Sequence, residues 1–317
     1  VFRNQRFWNA GAIVGWHRPR GRSVLKLSLL ARFASDDAHR FFGLGAEPTE
    51  DSRAPRVADS PPFGRYVQRY DSASIVAGMR TPPGVEVYYE SNYRRRTIQD
   101  LPESDESLGR LFDLATLPGL GTRKQWYNEF SARYDTRRYR GVAGPGLTFA
   151  AYGGLSRGID GDPSRFGRAG GEFFLHLPVF RSNRLVVPRL SLDHVWNRAP
   201  EVALSFADYP RHLTFRGVGG RRTILRTDNW VAVPSVEYRW PLTYRTQALI
   251  FCDWLLVGHS LGQIRASGAP WAAGVAFEMH SQFRSLARVV VALGSEGLRL
   301  GIELSPPVKT NDRTRWN

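Results

Sequence analysis

Among 317 residues there is a single cysteine, Cys252. No intrachain disulfide can form, and no cysteine-rich metal site exists. Cys252 lies in register with Ile250 and Trp254, which reads as a small apolar wall residue rather than a nucleophile. Long hydrophobic runs are missing too. The longest, Ala248 to Gly258, is interrupted by Asp253, and a membrane helix needs about 18 apolar residues. This argues against a transmembrane helix but leaves a transmembrane β-barrel open. Two-residue alternation keeps mean hydropathy low, here -0.35, even when half the side chains face lipid. Lysine is scarce: only Lys26, Lys124 and Lys309 stand among 44 basic residues, against 29 acidic ones, for a net charge of +15. A nucleic-acid binder would gather such charge into a patch. Here the arginines are spread along the chain, often beside Glu or Asp, and no nucleic-acid partner is expected. Arginine pairs bidentately with carboxylates and phosphates, which suits a barrel wall and a rim facing lipopolysaccharide. The seven histidines show no metal-ligand spacing, and neither a metal nor a cofactor is expected. The sequence starts at Val1 without a basic and apolar leader. The expectation is that a secretion signal has been removed, with loss of a larger N-terminal part left open.

What the chain does have is alternation. In Leu213 to Asp253, a Gly- and Arg-rich stretch runs into a near-perfect period of two. Trp230, Ala232, Pro234, Val236, Tyr238 and Trp240 fall on one side, against Asn229, Ser235, Glu237 and Arg239. After Leu242–Tyr244 the pattern resumes, with Ala248, Ile250, Cys252, Trp254 and Leu256 against Arg245, Gln247 and Asp253. Successive strand side chains point to opposite faces. One apolar, aromatic-tipped face and one charged face fit a strand between lipid and a polar lumen. About thirteen such segments occur, near 7–16, 23–34, 65–79, 84–96, 125–135, 145–156, 169–180, 184–196, 229–241, 245–257, 270–280, 285–294 and 297–305. Pro188 and Pro234 fall inside them, where each removes a ladder donor and predicts a bulge or a local break.

The connections alternate in length. Short turns are predicted at 17–21, 81–84, 181–183, 242–244 and 281–284, and long polar connections at 35–64, 99–123, 157–168, 197–228 and 259–269. Outer-membrane barrels have short periplasmic turns and long outer loops, so the last strand runs toward the periplasm. Bacterial barrels have even strand numbers. Thirteen segments therefore imply a missed strand, or one or three strands before Val1. The expected architecture is an all-β, antiparallel transmembrane barrel of about fourteen strands, with sixteen as the next choice. Residues 1–305 form the barrel, with one loop (197–228) inserted into its lumen, and 306–317 form a polar tail.

Three groups of residues carry candidate chemistry. Gly258-His259-Ser260-Leu261-Gly262 has the G-x-S-x-G pattern of a hydrolase nucleophile elbow, which needs a helix directly afterwards and a later acid and His. The following residues instead hold Gly262, Gly268 and Pro270, and His280 is the only later His. A loop is expected there and the chain is read as a non-enzyme, with a serine hydrolase using Ser260 kept as a remote alternative. Asp160-Gly161-Asp162, with Asp208 and Asp228 in other loops, lacks the spaced ligand series of a calcium site and reads as solvated turns. The third group is electrostatic. Arg216 lies among Gly217, Gly219 and Gly220, whose missing side chains would let the loop enter a narrow lumen. Glu237 and Asp253 fall on the polar faces of the next two strands. If those faces line a lumen, two carboxylates meet in a confined low-dielectric space, where one guanidinium can satisfy both. The other reading is an ordinary exposed basic loop.

The tripeptide Phe215-Arg216-Gly217, followed by Glu237-Tyr238-Arg239-Trp240-Pro241 and Phe251-x-Asp253, resembles the C-terminal end of the Omp85 superfamily (BamA/TamA-like, or bacterial surface antigen D15, barrels). Phe41-Phe42-Gly43-Leu44-Gly45, trailed by Thr49-Glu50-Asp51, is similar to a stretch of POTRA-less and patatin-linked relatives. The resemblance implies that Arg216 enters the lumen and meets Glu237 and Asp253. It further implies an outer-membrane protein that inserts or translocates polypeptides, or handles lipid, through a weak seam between first and last strands. Its implied partners are outer-membrane lipid and lipopolysaccharide, with a client polypeptide or accessory outer-membrane subunits. A passive pore, or a barrel anchoring a separate domain, is the alternative. The chain departs from the family pattern at Val218, where an aromatic is usual, at Trp254-Leu255, and in a last strand without a terminal aromatic. No segment reads as a POTRA domain.

Overall fold

The computed structural model describes residues 7–20, 23–45, 63–82, 84–137, 144–179, 181–199, 201–210, 215–216, 226–264, 266–280, 285–295 and 297–304. The strands are β1 (Phe7–Arg20), β2 (Ser23–Phe41), β3 (Gly64–Thr81), β4 (Val85–Asp100), β5 (Gly121–Asp135), β6 (Gly146–Gly158) and β7 (Arg165–Val179). They continue with β8 (Arg181–Asn197), β9 (Trp230–Pro241), β10 (Thr246–Trp254), β11 (Leu256–Gly258), β12 (Trp271–His280), β13 (Ser285–Gly294) and β14 (Gly297–Leu304). One four-residue helix, α1 (Leu108–Leu111), interrupts the pattern. All fourteen strands belong to a single sheet in which sequence neighbours pair antiparallel, and β11 prolongs β10 along β9. Thirteen strands therefore follow one another across the sheet, matching the thirteen segments read from periodicity.

The strands are longer than alternation alone indicates. β2 runs to Phe41 rather than 34, β4 to Asp100 rather than 96, and only 159–164 separate β6 from β7. At these outer ends the outward face is no longer apolar, while Phe41 and Ile98 turn inward under the loops, so the hydropathy signal of a lipid-facing strand fades while the ladder continues. Both prolines break pairing without shifting register. The β7–β8 ladder skips the two positions facing Val187 and Pro188, and the gap between β10 and β11 lies opposite Val233 and Pro234. A missing N–H costs a rung, whereas a bulge would change every face beyond it. Among the described residues β1 and β14 pair with β2 and β13 only, so the sheet is not closed into a ring.

The faces are those of a membrane wall. Outward lie Phe130 on β5, Phe149 and Leu155 on β6, Phe173 and Leu177 on β7, Ile250 and Trp254 on β10, and Val289, Val291, Leu298, Leu300 and Ile302 on the last two strands, all exposed. Inward lie Glu86, Gln125, Glu129, Glu172, Asp193, Glu237, Asp253 and Glu278, all buried. A water-soluble protein puts its apolar face inside. This arrangement is reversed, and only lipid makes such an exterior favourable.

At the end where the long connections lie, the loops fold over the inner face of the sheet. Phe41, Tyr66, Ile98, Tyr127, Phe166 and Val195 from the strands pack with Leu108, Leu111, Phe112, Leu117, Leu204 and Phe206 from the loops. Arg96 ties the second of these loops down, with Nη2 on Asp208 at 2.6 Å and Nη1 on the Ala207 carbonyl at 3.1 Å. Gly119 is required where the two loops meet: its φ is +111°, and a Cβ there would stand 2.1 Å from Ser205 Oγ. Phe41-Phe42-Gly43-Leu44-Gly45 joins this cap, and Gly45 N–H donates to the Thr227 carbonyl at 2.9 Å.

Candidate functional site

Glu237 stands seven residues into β9, about 23 Å along the strand at 3.3 Å per residue. It faces inward with Ser235 by the period of two, and Asp253 on β10 pairs in register with Ser235. The connection between β8 and β9 brings Arg216 down to these residues. Arg216 is 2% exposed, the largest of the fully buried side chains. Its Nε donates to Asp253 Oδ2 at 2.8 Å and its Nη2 to Asp253 Oδ1 at 2.5 Å. Its backbone N–H adds a third bond to Asp253, at 3.0 Å. Nη2 also reaches Ser235 Oγ at 2.8 Å, and the Ser235 hydroxyl donates to Asp253. Nη1 lies 2.6 Å from Glu237 Oε1. No Nη1 N–H is aligned on that oxygen, so this contact is an ion pair rather than a directed hydrogen bond.

The guanidinium carbon also stands over Phe251, 3.8 Å from the ring centroid, a buried cation–π contact. Phe251 packs with Leu249, Ala276, Val290 and Ala292. Gly274 makes room for it, since a Cβ there would lie 3.0 Å from Phe251 Cζ and 2.2 Å from the Val291 carbonyl oxygen. Phe215 packs with Val231, Val233, Leu255, Val257 and Ala272. The descending segment thus rests on an apolar inner wall with its charge seated in a polar notch. From the last strand, Arg299 Nη1 donates to the Arg216 carbonyl at 3.0 Å.

The two carboxylates are differently placed. Glu237 has Arg239 on its own strand and Arg189 Nη1 at 3.7 Å in addition to Arg216. Asp253 has Arg216 as its one cationic partner among the described residues. A second buried cluster adjoins. Glu278 takes Arg288, Gln247 Nε2 at 2.6 Å and His280 Nε2 at 3.3 Å. Further round the sheet Arg168 pairs with Asp193. These are clusters of paired buried charges, and the one around Arg216 holds the Phe215–Arg216 segment against the inner wall.

Of the residues singled out from sequence, Arg216, Glu237 and Asp253 come together, while Gly217, Gly219 and Gly220 lie outside the described residues. Ser235, Phe251, Arg189 and Arg299 were missed. Parity already puts Ser235 on the face of Glu237, and Phe251 stands in the Phe251-x-Asp253 motif, but neither signal marks a contact with Arg216. Nothing in the sequence marks Arg299. Ser260 is exposed and followed by a single 3₁₀ turn, Leu261–Gln263, where an elbow requires a long helix. Asp160 pairs with Lys124 at 2.8 Å, and Asp162, Asp208 and Asp228 accept from Ser164 N–H, Arg96 and Asn229 N–H. Among the described residues no group of His, Cys, Asp or Glu is placed to hold a metal.

No protein-family model matches the sequence, and no curated protein matches it. Solved structures do. BamA from Haemophilus ducreyi lacking POTRA domains 1-3 superposes with a TM-score of 0.55 at 12% identity, over 94% of this chain and 69% of that one. CdiB from Acinetobacter baumannii gives a TM-score of 0.49 at 9% identity, over 93% of this chain and 50% of that one. The fold is that of a membrane β-barrel. More particularly, it is the fold shared with the BamA structure, on which 94% of this chain superposes.

Proposed function

We propose that this protein lies in the bacterial outer membrane and acts in inserting or translocating polypeptides there, or in handling lipid, through the seam between β1 and β14. In this reading residues 1–305 form the barrel, 197–228 its lumen loop and 306–317 a polar tail. The observation that carries it is the pair of open sheet edges: among the described residues β1 pairs with β2 alone and β14 with β13 alone. Edge strands present rows of unsatisfied N–H and C=O groups, which hydrocarbon cannot satisfy and which template another strand. Strand addition at such an edge is a general mode of recognising an extended polypeptide. Arg299 on β14 holds the Arg216 carbonyl, so the last strand is coupled to the lumen loop.

The passive-pore alternative fares worse. The Phe215–Arg216 segment occupies the inner wall of one half, and the apolar cap covers the other at its loop end. The test is reconstitution in liposomes with a urea-unfolded outer-membrane barrel as client. Faster client insertion is expected. Cysteine pairs scanned between residues 8–16 and 298–302, in a Cys252→Ser background, should abolish it once oxidised. Steady ion conductance without acceleration would favour the pore.

A further inference from the structure

Three arginines at the ends of neighbouring strands have no carboxylate beside them among the described residues. Arg157 ends β6, Arg165 begins β7 and lies directly opposite it in register, and Arg198 follows β8, donating its backbone N–H to the Arg165 carbonyl at 2.8 Å. All three are exposed, and together they line a depression of about 270 Å3. Like charges placed opposite each other across a ladder destabilise it, so the pairing of Arg157 with Arg165 asks for an anion between them. Lys124, near the same rim, has Asp160 beside it.

Height on the wall says which anion. By alternation the three side chains share the outward face with Leu155, Phe149, Phe173 and Leu190, which are exposed apolar residues lower on the same strands. Between the two levels lies an aromatic group. His194 stacks on Trp230 at 3.7 Å and on Trp196 at 5.3 Å. The Trp196 ring covers Gly167, where a Cβ would meet it at 2.1 Å. Aromatic girdles sit at headgroup level. Residues one step above such a girdle, at the long-loop end, face the phosphates of the outer leaflet. Guanidinium forks bind phosphate bidentately.

We propose that Arg157, Arg165 and Arg198 form a binding site for the phosphate groups of an outer-leaflet glycolipid, with the His194–Trp196–Trp230 group packing beside its sugar and upper acyl region. The proposal rests on the membrane-spanning reading but not on the insertion activity.

The test is native mass spectrometry of the full chain released from detergent micelles. The micelles carry bisphosphorylated lipid A, the same lipid with its phosphates removed, or inorganic phosphate alone. Retained lipid A adducts are expected for the phosphorylated form only. The triple variant Arg157→Gln/Arg165→Gln/Arg198→Gln should lose about tenfold or more in occupancy, since each basic residue near an anionic surface contributes to binding. The triple Arg→Lys variant keeps the charge and should retain part of it, and Arg184→Gln/Arg245→Gln at the other end should behave as wild type. Equal retention of dephosphorylated lipid, unchanged occupancy in the triple Gln variant, or full displacement by millimolar inorganic phosphate would each overturn the site. A protein that stays β-folded in micelles yet binds no phosphorylated lipid would remove this inference and leave the barrel reading standing. One that unfolds in every micelle would remove the barrel reading itself.

Discussion

Replacing Arg216 by alanine removes the one cationic partner that Asp253 has among the described residues, but only one of three from Glu237. Asp253 is fully buried and keeps only the Ser235 hydroxyl and the backbone N–H of residue 216, whereas Glu237 retains Arg239 and Arg189. The cost is therefore that of one uncompensated buried carboxylate, roughly 3–5 kcal/mol. Arg110, whose pair with Asp105 is exposed on both sides, supplies the comparison, since surface pairs contribute about 0–1 kcal/mol. The assay is guanidinium unfolding of the detergent-folded protein by tryptophan fluorescence, read beside tryptic cleavage after Arg221 and Arg222. Arg216→Ala should lower stability by several kcal/mol, or raise cleavage of the freed loop more than a hundredfold at ~1.4 kcal/mol per tenfold. Arg110→Ala should do neither. Because Asp253 bears the damage, Arg216→Met/Asp253→Asn should recover much of the loss, with a coupling of about 1–3 kcal/mol. Arg216→Met/Glu237→Gln should not. If Arg216→Ala behaves as Arg110→Ala, or if the Glu237 double variant is the better rescue, the lumen-latch reasoning is wrong.

Gly274→Val should destabilise the barrel by about 1–3 kcal/mol through overpacking against the Val291 carbonyl and Phe251, measurable by the same unfolding curve; a neutral result would mean the inner wall is looser than its distances imply. Arg96→Ala leaves Asp208 without its cation, and should open residues 101–120 and 201–210 to proteolysis while the strands stay protected; simultaneous cleavage throughout the chain would contradict a separately anchored cap. Ser260 should not react as a nucleophile: stoichiometric fluorophosphonate labelling that disappears in Ser260→Ala would revive the hydrolase alternative.

The wall of this protein is written in its sequence because lipid enforces the period of two on every strand: a one-residue slip would carry Trp254 inward and Asp253 into hydrocarbon. The same rule set the faces of Glu237 and Asp253, while Gly217, Gly219 and Gly220, which suggested a loop entering the lumen, lie outside the described residues. What periodicity does not carry is depth and company. The strand ends at Phe41 and Asp100 continue past the apolar belt, where the outer face turns polar while the inner face is covered by the cap, so the alternation that marks the wall is lost. The cap is legible only afterwards, because Leu108, Leu111, Phe112 and Phe206 are scattered apolar residues in loops, brought together by two connections distant in sequence. Arg299 is the sharper case. Its neighbours Leu298 and Leu300 fix its face, yet its partner is a backbone carbonyl that carries no side-chain signature. Prolines gave a partial reading: position alone shows that Pro188 and Pro234 must each cost a rung. The form the loss takes follows from energetics, since a break sacrifices two rungs locally whereas a bulge would turn Glu237 and Asp253 toward lipid. The charge pair in the lumen thus constrains the wall as much as the wall positions the pair.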